Sequence, residues 1–524
     1  MPIIRPSPRR ARWVWLVLAL ALLRPLPAAA QGASYEQLQT FSSLLNQIRI
    51  NYVDSVSYAQ LVRAAVDGVL SSLDPHSRFL RHADGEREMA YQAGLLAGLG
   101  ITFDEVDAQL VVLSVYPGGP AARKSIAPGD RLITINDTSV AGLSPSDVGL
   151  RLLGEKGSKV RLLLERGSRF EPESVAVTLK YDFIRPRSVV GSFMLDGTTG
   201  YVRLAEFFAK AGDETERAIK DLKGKGARRI ILDLRGNPGG AVVGASDVAG
   251  LFLPKGALVF RTVGRRRVMT DQVLTTRDGP FRDLPLIAMV DEGSASASEA
   301  LVGSLQDHDR ALVIGRRSFG KALIMFPLDI PPQGDLVMLV VGRVVTPSGR
   351  IIQRAYHGMK AEQYYDFAGT PGASQDTLAV FRTDNGREVR GGGGIAPDVT
   401  LPEGLRIPAW LSTAADSGWI EAVSDSVAAL LPKEPAGRQA WLAASAEWQR
   451  RLVEPFLARV TEHLKLTRQP DDATKERIGR VLAYRAAEVR WGVEAADELW
   501  LRSDTGLAAA MGYWDQLPRL LTGR

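Results

Sequence analysis

The chain has 524 residues, of which 45% are hydrophobic and 24% charged, with 51 glycines, 29 prolines and no cysteine. This is ordinary globular usage in a length that exceeds one typical domain. The absence of cysteine excludes disulfides, a cysteine nucleophile and a lipid-modified cysteine, and the formal charge of +6 does not argue for nucleic acid because it is concentrated at the N-terminus.

Arg5, Arg9, Arg10 and Arg12 precede an apolar run from Trp13 to Leu23, and Ala28-Ala29-Ala30 stands before Gln31. Basic residues, a short apolar run and a small-residue cleavage site are the parts of a secretory signal, so residues 1–30 are expected to direct export to the periplasm or another extracytoplasmic space. Cleavage is expected after Ala30. The apolar run has 11 residues, whereas a membrane span needs about 20; an uncleaved membrane anchor is the alternative. Loss of residues 1–30 removes five arginines and no acid, which takes the formal charge from +6 to +1.

Residues 31–93 are expected to be helical, from the apolar spacing of Leu38, Phe41, Leu44, Leu45 and Ile48. Leu73-Asp74-Pro75-His76-Ser77 reads as a helix terminus, with no chemistry assigned. From 94 to 180 the pattern changes. Gly98-Leu99-Gly100-Ile101 is followed by strands at Leu110–Val115 and Arg131–Ile135, turn signals at Pro117-Gly118-Gly119-Pro120 and Pro128-Gly129-Asp130, and a helix at Ser146–Leu153. That order resembles a PDZ domain. The resemblance implies that the Gly98–Ile101 loop offers backbone N–H groups to a terminal carboxylate, with Val148 and Leu152 contacting an apolar side chain. A PDZ fold that only packs against its neighbour is the alternative.

A strand at Gly200–Leu204, an amphipathic helix at Asp213–Leu222 and a strand at Arg229–Leu234 predict an α/β core, assigned to residues 181–402. Ile231-Leu232-Asp233-Leu234-Arg235-Gly236-Asn237-Pro238-Gly239-Gly240 reads as a buried strand that ends in a glycine-rich turn, where backbone N–H groups come close to a ligand. Leu286–Val290 is a second buried strand, leading into Gly293-Ser294-Ala295-Ser296-Ala297-Ser298-Glu299. Lys321 follows in Ser318-Phe319-Gly320-Lys321, ahead of the apolar run Ala322–Phe326.

A serine hydroxyl needs a group to take its proton as it attacks a carbonyl. A lysine can do so when apolar burial keeps it neutral, which the flanking runs would favour. Ser296 would stand at a helix N-terminus, where free N–H groups stabilise an oxyanion. Read by itself, Gly-Ser-Ala-Ser is also a helix cap made of small residues. The five histidines show no metal-ligand spacing, so no metal and no cofactor are expected, and His308 reads as a helix-end residue.

Asp291–Glu299, Gln306-Asp307-His308, Gly315–Lys321, Thr346-Pro347-Ser348-Gly349-Arg350 and Gly391–Val399 together resemble the C-terminal processing peptidases, also called tail-specific proteases. The resemblance implies a multidomain α/β (α+β) protein with N-terminal helices, a PDZ domain and a ClpP/crotonase-like protease core, to which periodicity adds a C-terminal helical region. It implies Ser296 as nucleophile, Lys321 as general base, Asp307 as a residue that orders the site, and an oxyanion hole at Gly239, Gly240 and Ala297. Its substrates would be proteins with exposed C-terminal tails. Two positions depart from the family pattern: Met325 stands where a glutamine usually holds the lysine, and Ala322 where glycine is common. Methionine is a poor hydrogen-bonding partner, so a catalytically impaired tail-binding scaffold or adaptor is the competing reading.

Residues 403–524 carry seven of the nine tryptophans, with helices expected at Gln439–Leu466 and Asp472–Leu501. The resemblance does not reach them. A packing or homo-oligomerisation domain is expected there, with adaptor binding as the alternative.

Overall fold

The computed structural model describes residues 28–522 apart from 93–95, 107–108, 117–118, 128, 144, 153, 167–172, 185, 268–269, 360, 366–378, 403–409, 412–413, 415–418, 433, 435–436, 439, 442–444 and 466–468. Most of the expected export signal therefore lies outside the described residues. Among those described, no helix is long and apolar enough to cross a membrane. The chain divides into two compact units at Phe79.

The first unit holds α1 (Ala28–Asn51) and α2 (Tyr58–Ser71). Ser57 caps α2, and its backbone N–H donates to the Gln60 side chain at 2.9 Å. The helix terminus expected at Leu73–Ser77 follows the end of α2 at Ser71, and the Asp74 carboxylate accepts from the amides of His76 and Ser77 at 2.8 and 2.7 Å.

The second unit begins with α3 (His82–Gln92), which leads to β1 (Leu96–Gly98). The domain expected to be PDZ-like follows as β2 (Ile101–Val106), β3 (Gln109–Val115), β4 (Arg131–Ile135), α4 (Pro145–Arg151), β5 (Lys159–Arg166) and β6 (Glu173–Lys180), with the strands in sequential antiparallel order. It leaves through β7 (Asp182–Ile184), which pairs with β1. One two-stranded ribbon thus closes the base of the domain.

The α/β core contains β8 (Val189–Met194), β9 (Thr199–Leu204), α5 (Ala211–Gly224), β10 (Arg229–Asp233), α6 (Val242–Ala249), β11 (Leu258–Gly264), β12 (Asp271–Leu274), β13 (Leu286–Val290), α7 (Ala297–Asp307), β14 (Leu312–Gly315), β15 (Leu323–Ile330) and β16 (Asp335–Val345). After α8 (Ala361–Tyr365) comes β17 (Val399–Thr400). The main sheet runs β8-β9-β10-β13-β14-β17 and is parallel from β9 onward. Its strands carry apolar residues at consecutive positions because both faces are covered. Val202, Ile230, Leu232, Ala288 and Val313 face α5, α6 and α7. Ile231, Ile287, Met289, Leu312 and Ile314 face the other way.

The region expected as one C-terminal helical domain divides into two parts. α9 (Trp419–Ala428), α10 (Glu454–Leu464), α11 (Asp472–Trp491) and most of α12 (Val493–Arg502) build a core of their own around Trp441, Trp448 and Phe456. Leu501, α13 (Thr505–Met511), Trp514 and α14 (Leu517–Thr522) instead cover the second face of the main sheet. The single helix expected from Asp472 to Leu501 is broken at Gly492, whose φ of 90° is a left-handed conformation that glycine accommodates.

Candidate active site

Strands β10 and β13 lie side by side and end together, so the turns that follow them meet. Ser294 Oγ donates to Leu234 O at 2.8 Å, Ala295 N to Asn237 O at 2.9 Å and Ser298 Oγ to the same carbonyl at 3.0 Å. Asp291 Oδ1 accepts from the amides of Gly236 and Gly293 at 2.7 and 3.0 Å. The glycine turn and the serine turn are thereby one hydrogen-bonded unit.

Ser296 is the residue before α7 and holds φ 58°, ψ −112°, a sparsely populated conformation for a side-chain-bearing residue. Gly239 lies against it. A Cβ on Gly239 would fall 2.9 Å from Ser296 Cβ and 2.9 Å from Ala297 N. The Gly239 carbonyl accepts from Phe207 N at 2.7 Å, so the Gly240 N–H, at the other edge of the same trans peptide plane, points away from Phe207. The Ser296 carbonyl is spent inside the helix on Ala300 N, which likewise directs the Ala297 N–H out of the helix N-terminus. Of the three expected oxyanion positions, Gly239 is different: its own amide donates to Asn237 Oδ1 at 2.9 Å. Its part is close approach rather than donation.

The lysine turn is joined to this unit through Glu299. Its Oε2 accepts from the backbone amides of Ser296 and Lys321 at 2.9 and 2.8 Å, and its Oε1 from Gly320 N and Ser318 Oγ at 2.7 and 2.5 Å. Phe319 N adds a bond to Ser294 O at 2.9 Å. Glu299 is buried, and that burial raises its pKa to about 7 against the pull of its four donors. Its role was missed in the sequence, although Ser296 and Glu299 have the capping-box spacing that signals such a contact.

Ala322, beside the lysine, is pinned from two sides: its N–H donates to Gln353 Oε1 at 2.7 Å and its carbonyl accepts from Val344 N at 2.8 Å. The Gln353 amide nitrogen reaches Arg354 O at 2.9 Å and the Tyr364 hydroxyl at 3.2 Å. Tyr364 is buried, which pushes its phenol up to about 12, and it meets Phe319 edge to face at 5.4 Å. Arg354 lies over both rings. Met325 sits farther along β15, opposite Val340.

Asp307 is not part of this cluster. It ends α7, whose length places it roughly 16 Å from Ser296. Its carboxylate pairs with Arg350 at 2.6 Å and accepts from Thr346 Oγ1 at 2.5 Å and Ser348 N at 3.0 Å, all in the Thr-Pro-Ser-Gly-Arg segment. Asp307 and Arg350 have no exposed side-chain surface. This is a buried fold contact, because a carboxylate so placed and so fully bonded reaches no reacting atom. His308 follows it, with Nδ1 at 2.7 Å from Asp384 and Nε2 at 2.8 Å from Leu258 O.

In the PDZ domain the Leu99 and Gly100 carbonyls accept from Ala121 N and Tyr116 N at 2.9 and 2.8 Å. The amides of Gly100 and Ile101 share those peptide planes and point the opposite way, as a carboxylate loop requires. Gly98 opens the loop, close against Ile184. Val148 has no exposed surface and Leu152 is 9% exposed, and both belong to the PDZ core. They hold α4 in place instead of presenting a face to a ligand. Among the described residues no cluster of acidic, histidine or cysteine side chains could hold a metal ion.

The model of peptidase family S41 matches residues 198–362, and a PDZ-domain model matches residues 111–166. The carboxy-terminal-processing protease of Bartonella bacilliformis is 32% identical over 61% of this chain and 73% of its own length. The carboxyl-terminal-processing protease of Synechocystis is 32% identical over 55% of this chain and 68% of its own. The PDZ domain of the carboxy-terminal protease from Vibrio cholerae, solved in complex with a peptide, is 34% identical over 18% of this chain and 99% of that domain, with a TM-score of 0.17. With a paired serine turn and glycine turn at the strand ends and relatives of this similarity and coverage, the chain belongs to the carboxy-terminal-processing proteases of peptidase family S41 and is a serine-type peptidase.

Proposed function

We propose that the protein is an exported endopeptidase with a Ser296–Lys321 dyad, which captures the unstructured C-terminal tail of a protein at Gly98–Ile101 and cleaves near that end. The observation that carries this reading is the joint anchoring of the Ser296 and Lys321 amides on Glu299 Oε2, which fixes nucleophile and base on one buried support. Ser296 Oγ attacks the scissile carbonyl while Lys321 accepts its proton, and the Gly240 and Ala297 amides receive the oxyanion. Lys321 then gives the proton to the leaving amine, and water repeats the sequence on the acyl-enzyme.

Residues 1–30 act as the export signal in this reading, with cleavage after Ala30, in the first turn of α1. Periplasmic fractionation with N-terminal sequencing tests that part. The catalytic part is tested by incubating the mature chain with proteins that end in apolar tails. Wild type should cleave them, while Ser296→Ala and Lys321→Ala should not. Equal, negligible cleavage by all three would leave the impaired tail-binding scaffold as the better account.

A further inference from the structure

The C-terminal segment supplies a charged side chain to the glycine turn. Arg235, the first residue of that turn, chelates the fully buried Asp233: its Nε lies 3.0 and 3.1 Å from the two carboxylate oxygens and its Nη2 lies 2.6 Å from Oδ2. Tyr201 OH donates to Asp233 Oδ2 as well, at 2.7 Å. The remaining arm, Nη1, meets Asp504 Oδ2 at 2.7 Å, and the two side chains are only 15% and 18% exposed. Burial works against the Arg235 charge, yet Asp233 and then Asp504 hold its pKa above the ordinary value.

Asp504 is fixed in place. Its Oδ1 caps α13 by accepting from Leu507 N at 3.0 Å. Gly506 closes over the pair: a Cβ there would lie 3.1 Å from Asp504 Oδ1 and 3.2 Å from Arg235 Nη1. The segment is tied down on either side, to the sheet edge through Arg502 Nη2 to Met194 O at 3.0 Å and to a neighbouring turn through Asn385 Nδ2 to Leu521 O at 3.1 Å. Arg235 is followed directly by Gly236 and Asn237, which carry the bonds to Asp291, Ala295 and Ser298.

We propose that Asp504 is a positioning residue of the active site, which acts through Arg235 to hold the Gly236–Gly240 turn and hence the Gly240 amide in register with Ser296. The inference rests on the peptidase reading above. A displacement of about 1 Å in such a donor can cost two orders of magnitude in rate, so a residue outside the usual catalytic region gains leverage on turnover.

Asp504→Asn is the sharp variant. Its carbonyl oxygen can still cap Leu507, but its NH2 then faces the Arg235 guanidinium, donor against donor. The mature chain carrying Asp504→Asn should show kcat lowered about tenfold with KM within about twofold, and Asp504→Glu should recover most of the loss. Amide exchange at residues 236–240 should quicken in Asp504→Asn while the global melting temperature stays near wild type. Unchanged kcat, or a loss of activity that only follows the unfolded fraction, overturns the proposal. If wild type proves no more active than Ser296→Ala, the peptidase reading fails separately, and exchange still decides the linkage. Faster exchange confined to 236–240 supports it and unaltered exchange overturns it.

Discussion

The backbone amides of Ser296 and Lys321, 25 residues apart in sequence, donate to one atom, Glu299 Oε2, at 2.9 and 2.8 Å. A single buried oxygen therefore sets the spacing between the two turns that carry the proposed dyad. Four donors aimed at one carboxylate favour its ionised form, while burial opposes it, and the balance lies at a pKa of about 7.

That balance has a measurable sign. The folded pKa is raised above the ordinary 4.5, so between those values the folded state retains a proton that the unfolded chain has released. Stability from this group is present below about pH 4.5 and is lost as pH rises to about 7, by an amount on the order of 3 kcal/mol. Glu299→Gln cannot titrate. Urea unfolding at pH 5 and pH 8 should show wild type losing more stability than Glu299→Gln across that interval; parallel losses would refute the assignment.

Gly239 and Gly236 give a matched pair. Both have positive φ, 108° and 69°, but a Cβ at 239 would strike Ala295 O at 2.8 Å and Ala297 N at 2.9 Å, whereas one at 236 would meet nothing within 4 Å. Gly239→Ala should therefore displace the serine turn, with a rate loss of about a hundredfold and a stability cost of about 1–3 kcal/mol. Gly236→Ala should cost only the backbone strain, about 1 kcal/mol. Steady-state kinetics and thermal unfolding of the two variants check this, and equal losses would count against a steric role for Gly239.

The serine, lysine and glycine turns were legible in the sequence because each is a local motif at the end of an apolar strand. What escaped was carried by contacts between distant segments. Glu299 was visible only as part of a motif, since its bonds to Ser318, Gly320 and Lys321 depend on how the lysine turn folds back. The docking of α13 and α14 on the sheet was also missed. A clue existed: Leu286–Val290 has no polar residue on either face, which requires a cover on both sides. Tryptophan content drew Trp514 into a separate helical domain, whereas it packs with the outer sheet face at Ile287 and Ile314.

Asp307 tests whether its burial is structural. Asp307→Asn leaves Arg350 charged and buried without its counterion, which should cost about 3–5 kcal/mol. Because the pair sits at the far end of α7 from Ser296, kcat per folded molecule should stay at the wild-type value below the melting transition. Denaturant unfolding together with active-site titration separates the two effects. A fall in kcat with folding intact would return Asp307 to the site.

Gln353 bears on the expectation that a glutamine, here replaced by Met325, would hold the lysine. Its carbonyl oxygen holds Ala322 N, one residue beyond Lys321, and its NH2 is engaged by Arg354 O and the Tyr364 hydroxyl. It thus steadies the backbone that carries the lysine. Removing it should release the start of β15, so Gln353→Ala should lower kcat about tenfold and leave KM nearly unchanged. Met325→Gln should change kcat by less than about threefold, because the turn is already held through Ala322. A large gain in Met325→Gln, measured on the same tailed substrate, would mean that Gln353 does not compensate and that Met325 limits the natural enzyme.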